Sequence, residues 1–341
     1  MSGDDNSREA IKARIKPTLD RFAVKALKAW LKTLELTSSA ESRLTITDLV
    51  VQHIADGHLA EAALENALIG FEEASDMRIY LFRMEDGPAL PPNKWLLDRL
   101  SAMSIPLSNV RVFAGQRSKP MSPVYAHLEG GFLRVKWAEE QKRATIDDAT
   151  DKVIYHSVFK RVVLVANFHA HTIELRLNPP ENRHYHLDAS GRPTAEAYYK
   201  AYLDKTRDLL NCELRPIELR PVIKRLVEEE DPRVVRIHID NHTNQANAQS
   251  RTNASRTDVR DDPDWKLMYE RNGRKWAWDA PSFHWLPKAS SGFLARELFS
   301  HIDAATGFVK VNADCSDDEV GYVVSQIRAR EAEKSEIIGA A

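Results

Sequence analysis

Hydrophobic residues recur at helical spacing through the first 86 residues of the chain. Apolar positions there are separated by three or four residues, and Pro17 is the only proline before residue 88. The pattern predicts helices over residues 8–16, 20–36, 44–55, 59–73 and 76–83. Short helices joined by short connections are typical of a compact bundle, and we place this bundle at residues 8–86.

A different pattern follows the break rich in proline and glycine at residues 85–93. Runs rich in Val, Phe and Tyr, with alternating polarity, predict strands over 109–115, 123–130, 132–139, 152–159, 161–168, 172–179 and 234–240. Helical spacing returns at 93–103, 194–210 and 218–230. Gly130 and Gly131 lie in a candidate hairpin turn, so neighbouring strands are expected to run antiparallel.

The last hundred residues begin with a polar stretch. Residues 241–264 contain almost no apolar side chain and are predicted to form a flexible loop. Residues 265–341 then hold a predicted strand at 307–313 and a helix at 316–334. Taken with the middle region at 87–240, the chain is predicted to be an α+β protein. A helical bundle comes first, and an α/β region with a mostly antiparallel sheet follows it.

The helix predicted at 20–36 has two chemically different faces. Leu27, Leu31 and Leu34 lie beside Val24 when the segment is drawn with 3.6 residues per turn. The opposite face holds only cations: Arg21, Lys25, Lys28 and Lys32. Such a face can either remain exposed to water or bind a polyanion.

Charge is concentrated in this part of the chain. The whole protein has a formal charge of –2, so attraction to nucleic acid requires a local patch. Residues 7–32 hold eight cations against Glu9 and Asp20, a sum of 8 – 2 = +6. The candidate phosphate-binding residues are Lys12, Arg14, Lys16, Arg21, Lys25, Lys28 and Lys32. The alternative interpretation is a solvated helix surface.

Catalytic and metal-binding motifs are weak. The chain has two cysteines without a CxxC pair, which is typical of a reducing compartment, and no apolar run long enough for a signal peptide or a membrane span. His169 and His171 would share a strand face and could chelate a metal, as could the histidines of 184–186 and 238–242. The acidic cluster 258–264 lies in the predicted loop. We expect no enzyme activity, no metal and no cofactor.

Several segments resemble one known family. They are LKAW (27–30), VVQH (50–53), RIYLFRM (78–84), GFLRVKWAEEQ (131–141), KVIYHS (152–157) and residues 308–327. In content and order they are similar to the centromere protein N (CENP-N) family. The resemblance is most specific in the first 85 residues.

The resemblance implies a pyrin-like (death-fold) helical domain and a role that is not enzymatic. The family binds centromeric chromatin in the nucleus and pairs with a related subunit, centromere protein L (CENP-L). Asp5 and Glu9 fall where the family contacts histone, and Lys12 falls on a cation that contacts DNA. Arg14, Lys16 and Arg78 lie beside further family cations.

The match has two departures. LTITDL (44–49) replaces a basic cluster of the family, and Pro17 replaces one cation. The cations at 21–32 are not a family feature. A prokaryotic source would have no centromeric histone, and the protein would then act in the cytoplasm or nucleoid.

Two further surfaces complete the hypothesis. Four cations of the middle region could extend a DNA-binding groove: Arg111, Arg117, Lys119 and Arg134. The strand and helix at 307–330 could offer a sheet edge to the partner subunit. Other interpretations stay open: a SAP-like pair of DNA-binding helices at 27–54, a death-fold adaptor that binds only protein, and, more remotely, an enzyme that uses the histidines.

Overall fold

The computed structural model describes residues 2–20, 22, 24–36, 42–85, 94–113, 121–147, 152–178, 195–229, 233–243, 248–251, 257–311 and 314–338. They form two compact units. The first unit joins residues 1–76 to residues 218–341, and the second unit comprises residues 77–217. The first unit is therefore discontinuous in sequence. The regions predicted from the sequence were each continuous, so they did not anticipate this arrangement.

Helices and strands alternate irregularly along the chain. The helices are α1 Ser2–Leu19, α2 Val24–Thr33, α3 Arg43–Ala55, α4 Glu61–Ala74, α5 Lys94–Ala102, α6 Ala195–Leu210, α7 Leu219–Glu228, α8 Pro263–Asn272 and α9 Asp317–Ile338. The strands are β1 Arg78–Glu85, β2 Ser122–Glu129, β3 Phe132–Asp147, β4 Lys152–Asn167, β5 Thr172–Leu177, β6 Glu213–Pro216, β7 Val235–Thr243, β8 Ala248–Arg251, β9 Ala277–Trp278, β10 Ser282–Trp285, β11 Leu298–Asp303 and β12 Phe308–Val311.

The second unit is built on an antiparallel sheet in the order β2-β3-β4-β5-β1, with β6 also paired to β1. The turn between β2 and β3 uses Gly130 and Gly131 at φ +54° and +79°, as a tight hairpin requires. Trp137 packs edge-on against Tyr202 of α6, with ring centroids 5.9 Å apart. The helix thus covers one face of the sheet.

The helical part of the first unit buries one stripe from each helix. Ile11, Ile15 and Leu19 of α1 are buried, as are Leu27 and Leu31 of α2. Helix α1 packs along α3. α3 begins with a capping box, because the Ser42 hydroxyl accepts from the Thr45 N–H while the Thr45 hydroxyl accepts from the Ser42 N–H.

The remainder of the first unit contains antiparallel strands in the order β12-β11-β10-β7-β8, with β9 also paired to β7. Its core is apolar. Phe283 and Trp285 of β10 are fully buried, and so are Val222 of α7 and Val323 of α9. Helix α9 packs against α4 and α7, so the C-terminal helix and the N-terminal helices share one hydrophobic core.

The α+β class and the mostly antiparallel pairing are confirmed. The predicted helices that became α3, α4, α6 and α7 lie within a few residues of their expected bounds. Helix α1 is longer than predicted at both ends, since it begins at Ser2 and continues through Pro17 to Leu19. Among the described residues, no helix combines the length and apolar character needed to cross a membrane.

Three local predictions were wrong. Residues 76–83 were predicted as helix, but 78–85 form the strand β1, whose residues Ile79 to Phe82 are buried in a row. Residues 109–113 of the predicted strand 109–115 are irregular. The two strands predicted at 152–159 and 161–168 form the single strand β4, because Lys160 pairs in register with Glu139 and needs no break.

The polar stretch at 241–264 also differs from the predicted loop in its described parts. Strand β7 extends to Thr243, and β8 pairs back onto it. Further on, Asp258 and Arg260 are buried together. Local sequence cannot reveal that an aspartate and an arginine two residues apart neutralise each other in the core.

The segment predicted to offer a partner edge is largely core. Phe308, Val309 and Val311 of β12 are buried, and α9 buries Val320 and Ile327. Val309, Val320 and Ile327 are fully inaccessible to solvent.

Candidate nucleic-acid interface

Helix α2 carries the cationic face that the sequence predicts. Its apolar side is anchored by Leu27 and Leu31, which are 1% and 2% exposed. Lys25 and Lys32 on the other side are exposed, and Lys28 is half-buried. These three residues are called the α2 lysine face below. Leu34, predicted to belong to the apolar stripe, lies past the end of the helix and is 41% exposed.

The α2 lysine face is not neutralised by carboxylates. Within the described ranges, none of its three lysines forms an ion pair. Lys32 has one polar contact, a 3.4 Å hydrogen bond from its Nζ to the backbone oxygen of Ala295. A carbonyl oxygen leaves the ammonium charge intact, so all three charges remain available to an anion.

Helix α1 is different, because three of its four cations are paired with carboxylates. Arg8 lies 3.3 Å from Asp56, and Lys12 lies 2.7 Å from Asp48. Nε of Arg14 donates to Glu61 over 3.0 Å, and a second guanidinium nitrogen also contacts that carboxylate. The hydrogen bond that Lys12 donates to the Asp48 carboxylate raises the pKa of Lys12 above its usual value. Asp48 on α3, Asp56 at the end of α3 and Glu61 on α4 thus balance three α1 cations, of which Lys12 and Arg14 belong to the predicted DNA-binding set.

The other predicted contacts of the N-terminal region are scattered. Lys16 and Glu9 are exposed on α1. The backbone of Asp5 belongs to α1, whereas its side chain and the whole of Arg21 lie outside the described residues. Arg78 begins β1 and is half-buried in the second unit. The structure therefore brings Lys25, Lys28 and Lys32 together as one surface, and it does not gather the full predicted set.

The two middle-region cations that the structure describes are only partly exposed. Arg111 and Arg134 are half-buried, and Arg117 and Lys119 lie outside the described residues. The neighbouring Lys136 is fully buried, and its Nζ donates to the backbone oxygen of Val112 over 2.9 Å. A charge held in the core in this way supports the sheet and is closed to phosphate.

The histidines that the sequence offers as possible metal ligands are dispersed where the structure describes them. His169 and His171 were expected on a strand face, but both are exposed in the turn between β4 and β5. His238 and His284 lie close, with ring centroids 5.6 Å apart, and burial lowers the pKa of His284 to about 4. The segment 184–186 lies outside the described residues. In the part of the chain that the structure describes, no three His, Cys, Asp or Glu residues are placed to hold a metal.

The acidic residues predicted as a solvated cluster have structural contacts. Asp258 pairs with Arg260 over 2.7 Å, and Arg233 lies 3.4 Å from the same carboxylate. Asp262 caps α8 by accepting from the backbone N–H groups of Asp264 and Trp265. These carboxylates stabilise the chain and are not aimed into a cleft.

Two features of this surface were missed by sequence reasoning. One is the set of acids Asp48, Asp56 and Glu61, which could have been anticipated only from the packing of α1 beside α3 and α4. The other is Phe293, which is 69% exposed in the loop that also holds Ala295. An isolated phenylalanine between glycine and leucine gives no sequence signal of exposure.

Comparison with known proteins adds no relative to this description. No protein-family model matches the chain, and no match was found among curated proteins. The chemistry of the site therefore rests on its residues: an uncompensated cationic helix face, with no nucleophile or acid–base pair placed on it among the described side chains.

Proposed function

We propose that the chain is a non-enzymatic DNA- and protein-binding scaffold of the CENP-N type, and that the α2 lysine face contacts DNA phosphates. The observation that carries the proposal is the contrast in pairing. Lys25, Lys28 and Lys32 lack carboxylate partners among the described residues, whereas Arg8, Lys12 and Arg14 of α1 have them. Three neighbouring charges on one helix suit a phosphate backbone, which carries a charge every 3.4 Å along each strand.

The finer parts of the proposal rest on the family resemblance. They are a pyrin-like fold for α1 to α4, a nuclear location at the centromere, and pairing with a CENP-L-like subunit. Contacts to phosphate carry little sequence information, so partner and shape recognition would set specificity. Strand β8 pairs only with β7 among the described residues and offers a sheet edge for a second subunit.

The test is fluorescence anisotropy of a short DNA duplex titrated with the full chain at several salt concentrations. One variant changes Lys25, Lys28 and Lys32 to Gln. A matched variant changes Arg8, Lys12 and Arg14 to Gln, which removes the same charge from α1. We expect the α2 variant to lower the slope of log K against log salt by about 0.9 for each lost phosphate contact.

The matched α1 variant is expected to bind nearly as the parent chain does, because its cations already face carboxylates. Equal losses in both variants would mean that only net charge matters, and the site assignment would be overturned. Absence of duplex binding by the parent chain at low salt would reject DNA binding and leave the protein-only adaptor as the leading function. Thermal unfolding of each variant separates loss of binding from loss of fold.

A further inference from the structure

Phe293 is the most exposed of the large apolar side chains that the structure describes, at 69%. It lies in the loop between Ser290 and Arg296 that leads into β11. A single exposed apolar residue is ordinary on a protein surface. The position of Phe293 beside the α2 lysine face is what distinguishes it.

The loop that presents Phe293 is held at defined points. The Phe293 N–H donates to the backbone oxygen of Ser290 over 3.0 Å, and the Ser290 hydroxyl accepts from the Leu294 N–H over 3.0 Å. Leu294 is 3% exposed and anchors the loop to the core. The Phe293 ring lies nearly parallel to that of Tyr322, with centroids 6.3 Å apart. The ring is thus supported from behind while most of its surface stays in water.

The same loop is joined to α2. The bond from Lys32 Nζ to Ala295 fixes the end of the α2 lysine face two residues from Phe293. Lys28 follows one helical turn further along the same side of α2. Lys288, also exposed, precedes the loop. The loop that presents the aromatic ring therefore contacts one lysine of α2 and follows the exposed Lys288, and all of these residues belong to the first unit.

We propose that Phe293 and the α2 lysine face form one binding site for unpaired nucleotides, in which the lysines contact phosphates and the Phe293 ring stacks on a base. This inference rests on the proposed function and specifies its ligand. Aromatic stacking combined with a cationic track is the way proteins hold single strands, because every base has a π-face. In an intact duplex the faces of the bases are already covered by their neighbours, so Phe293 would contribute nothing there.

Charge complementarity favours a nucleic acid over an apolar protein groove as the occupant. A protein groove would require a contiguous apolar patch, whereas the loop that holds Phe293 accepts a hydrogen bond from Lys32 at Ala295. A single-stranded tail or a junction in DNA, or an RNA, offers both the phosphates and the free base faces.

The experiment measures the affinity of the full chain for a fluorescent oligo-dT of 20 nucleotides and for a duplex of equal length. Phe293→Ala is expected to weaken single-strand binding by about 5- to 100-fold, the loss of one base stack, and to leave duplex binding unchanged. Phe293→Trp is expected to retain or strengthen single-strand binding. Val110→Ala, at a residue that is 62% exposed in the second unit, serves as the control and should change neither affinity.

The outcomes separate the inference from the function on which it rests. If duplex binding depends on the α2 lysines while Phe293→Ala leaves oligo-dT binding intact, the stacking site is wrong and the phosphate-binding face stands. Equal weakening of both ligands by Phe293→Ala also overturns the stacking site, because a structural role would affect both. If the parent chain binds neither ligand, both proposals fall.

Discussion

Helices α1 and α2 present the same residue types to solvent but differ in what surrounds those residues. α1 has Arg8, Lys12 and Arg14 within reach of carboxylates on its neighbours. α2 has Lys25, Lys28 and Lys32, of which only Lys32 has a described polar contact, and that contact is a backbone carbonyl. The +6 charge counted in the sequence is therefore an upper limit, because ion pairs neutralise three of the four cations of α1.

The geometry of the two helices explains the difference. α1 lies along α3, and its Arg8 and Lys12 meet Asp56 and Asp48 in reverse order, so the two helices run in opposite directions. α2 contacts α3 through its apolar stripe and turns its lysines away. Cations on a helix that lies alongside an acidic neighbour are structural, and cations on the outer side of a packed helix are free to bind.

The largest expected effect tests the inner face of α2. Leu27→Ala should lower the free energy of unfolding by about 2–5 kcal/mol, because Leu27 is 1% exposed and its loss leaves a cavity. Lys25→Ala on the outer face should change it by less than about 0.5 kcal/mol. Chemical denaturation of the two variants measures both values. Similar effects at the two positions would show that the faces of α2 are wrongly assigned.

The second prediction concerns a variant in which two cations of α1 lose their carboxylate partners and so resemble the lysines of α2. Asp48→Asn together with Glu61→Gln removes the partners of Lys12 and Arg14, and DNA binding should strengthen. The salt slope should grow by up to about 0.9 for each freed cation. The cost in stability should stay within about 1 kcal/mol per exposed pair.

The control for this variant is Glu65→Gln with Asp98→Asn, which alters net charge equally at exposed acids of α4 and α5. An identical gain in affinity from the control would mean that the long-range field, and not the freed cations, governs binding. NaCl titrations at fixed protein concentration distinguish the two cases.

The smallest expected effect is a change in the pKa of Lys12. The pKa of Lys12 is raised above 10.5 by its hydrogen bond to Asp48, so the pair stabilises the fold below that pH. This contribution is lost as the pH rises through the pKa of the folded state. Asp48→Asn should return the Lys12 pKa toward its usual value, which a side-chain NMR titration would detect. An unchanged titration midpoint would argue against the pairing of α1 with α3.

Sequence patterns predicted most elements because local rules decided them. The two-sided pattern of α2, the Gly130–Gly131 turn and the long amphipathic α6 are all visible in a window of a few residues. The α2 lysine face was predicted for the same reason. Its separation from the α1 cations was not, since Asp48 and Glu61 lie 36 and 47 residues from Lys12 and Arg14 in the chain.

The failures share one physical cause. RIYLFRM lies between the helices α4 and α5 in sequence. Its consecutive buried side chains nevertheless suit a strand covered on both faces. Short apolar runs of this kind do not reveal their period until the neighbouring strands are known. The polar stretch after β7 was also misread in part, because the buried pair of Asp258 and Arg260 is made by tertiary packing.

Arg260 has a consequence for the order in which the chain can acquire its structure. Its guanidinium donates to the backbone oxygens of Leu226, Val227 and Glu229, the last carbonyls of α7, across sequence separations of 34, 33 and 31 residues. Those carbonyls have no intrahelical donor. During synthesis, α7 therefore leaves the ribosome with carbonyls at its C-terminal end that lack donors. They gain a donor only after Arg260, some thirty residues later, has been synthesised.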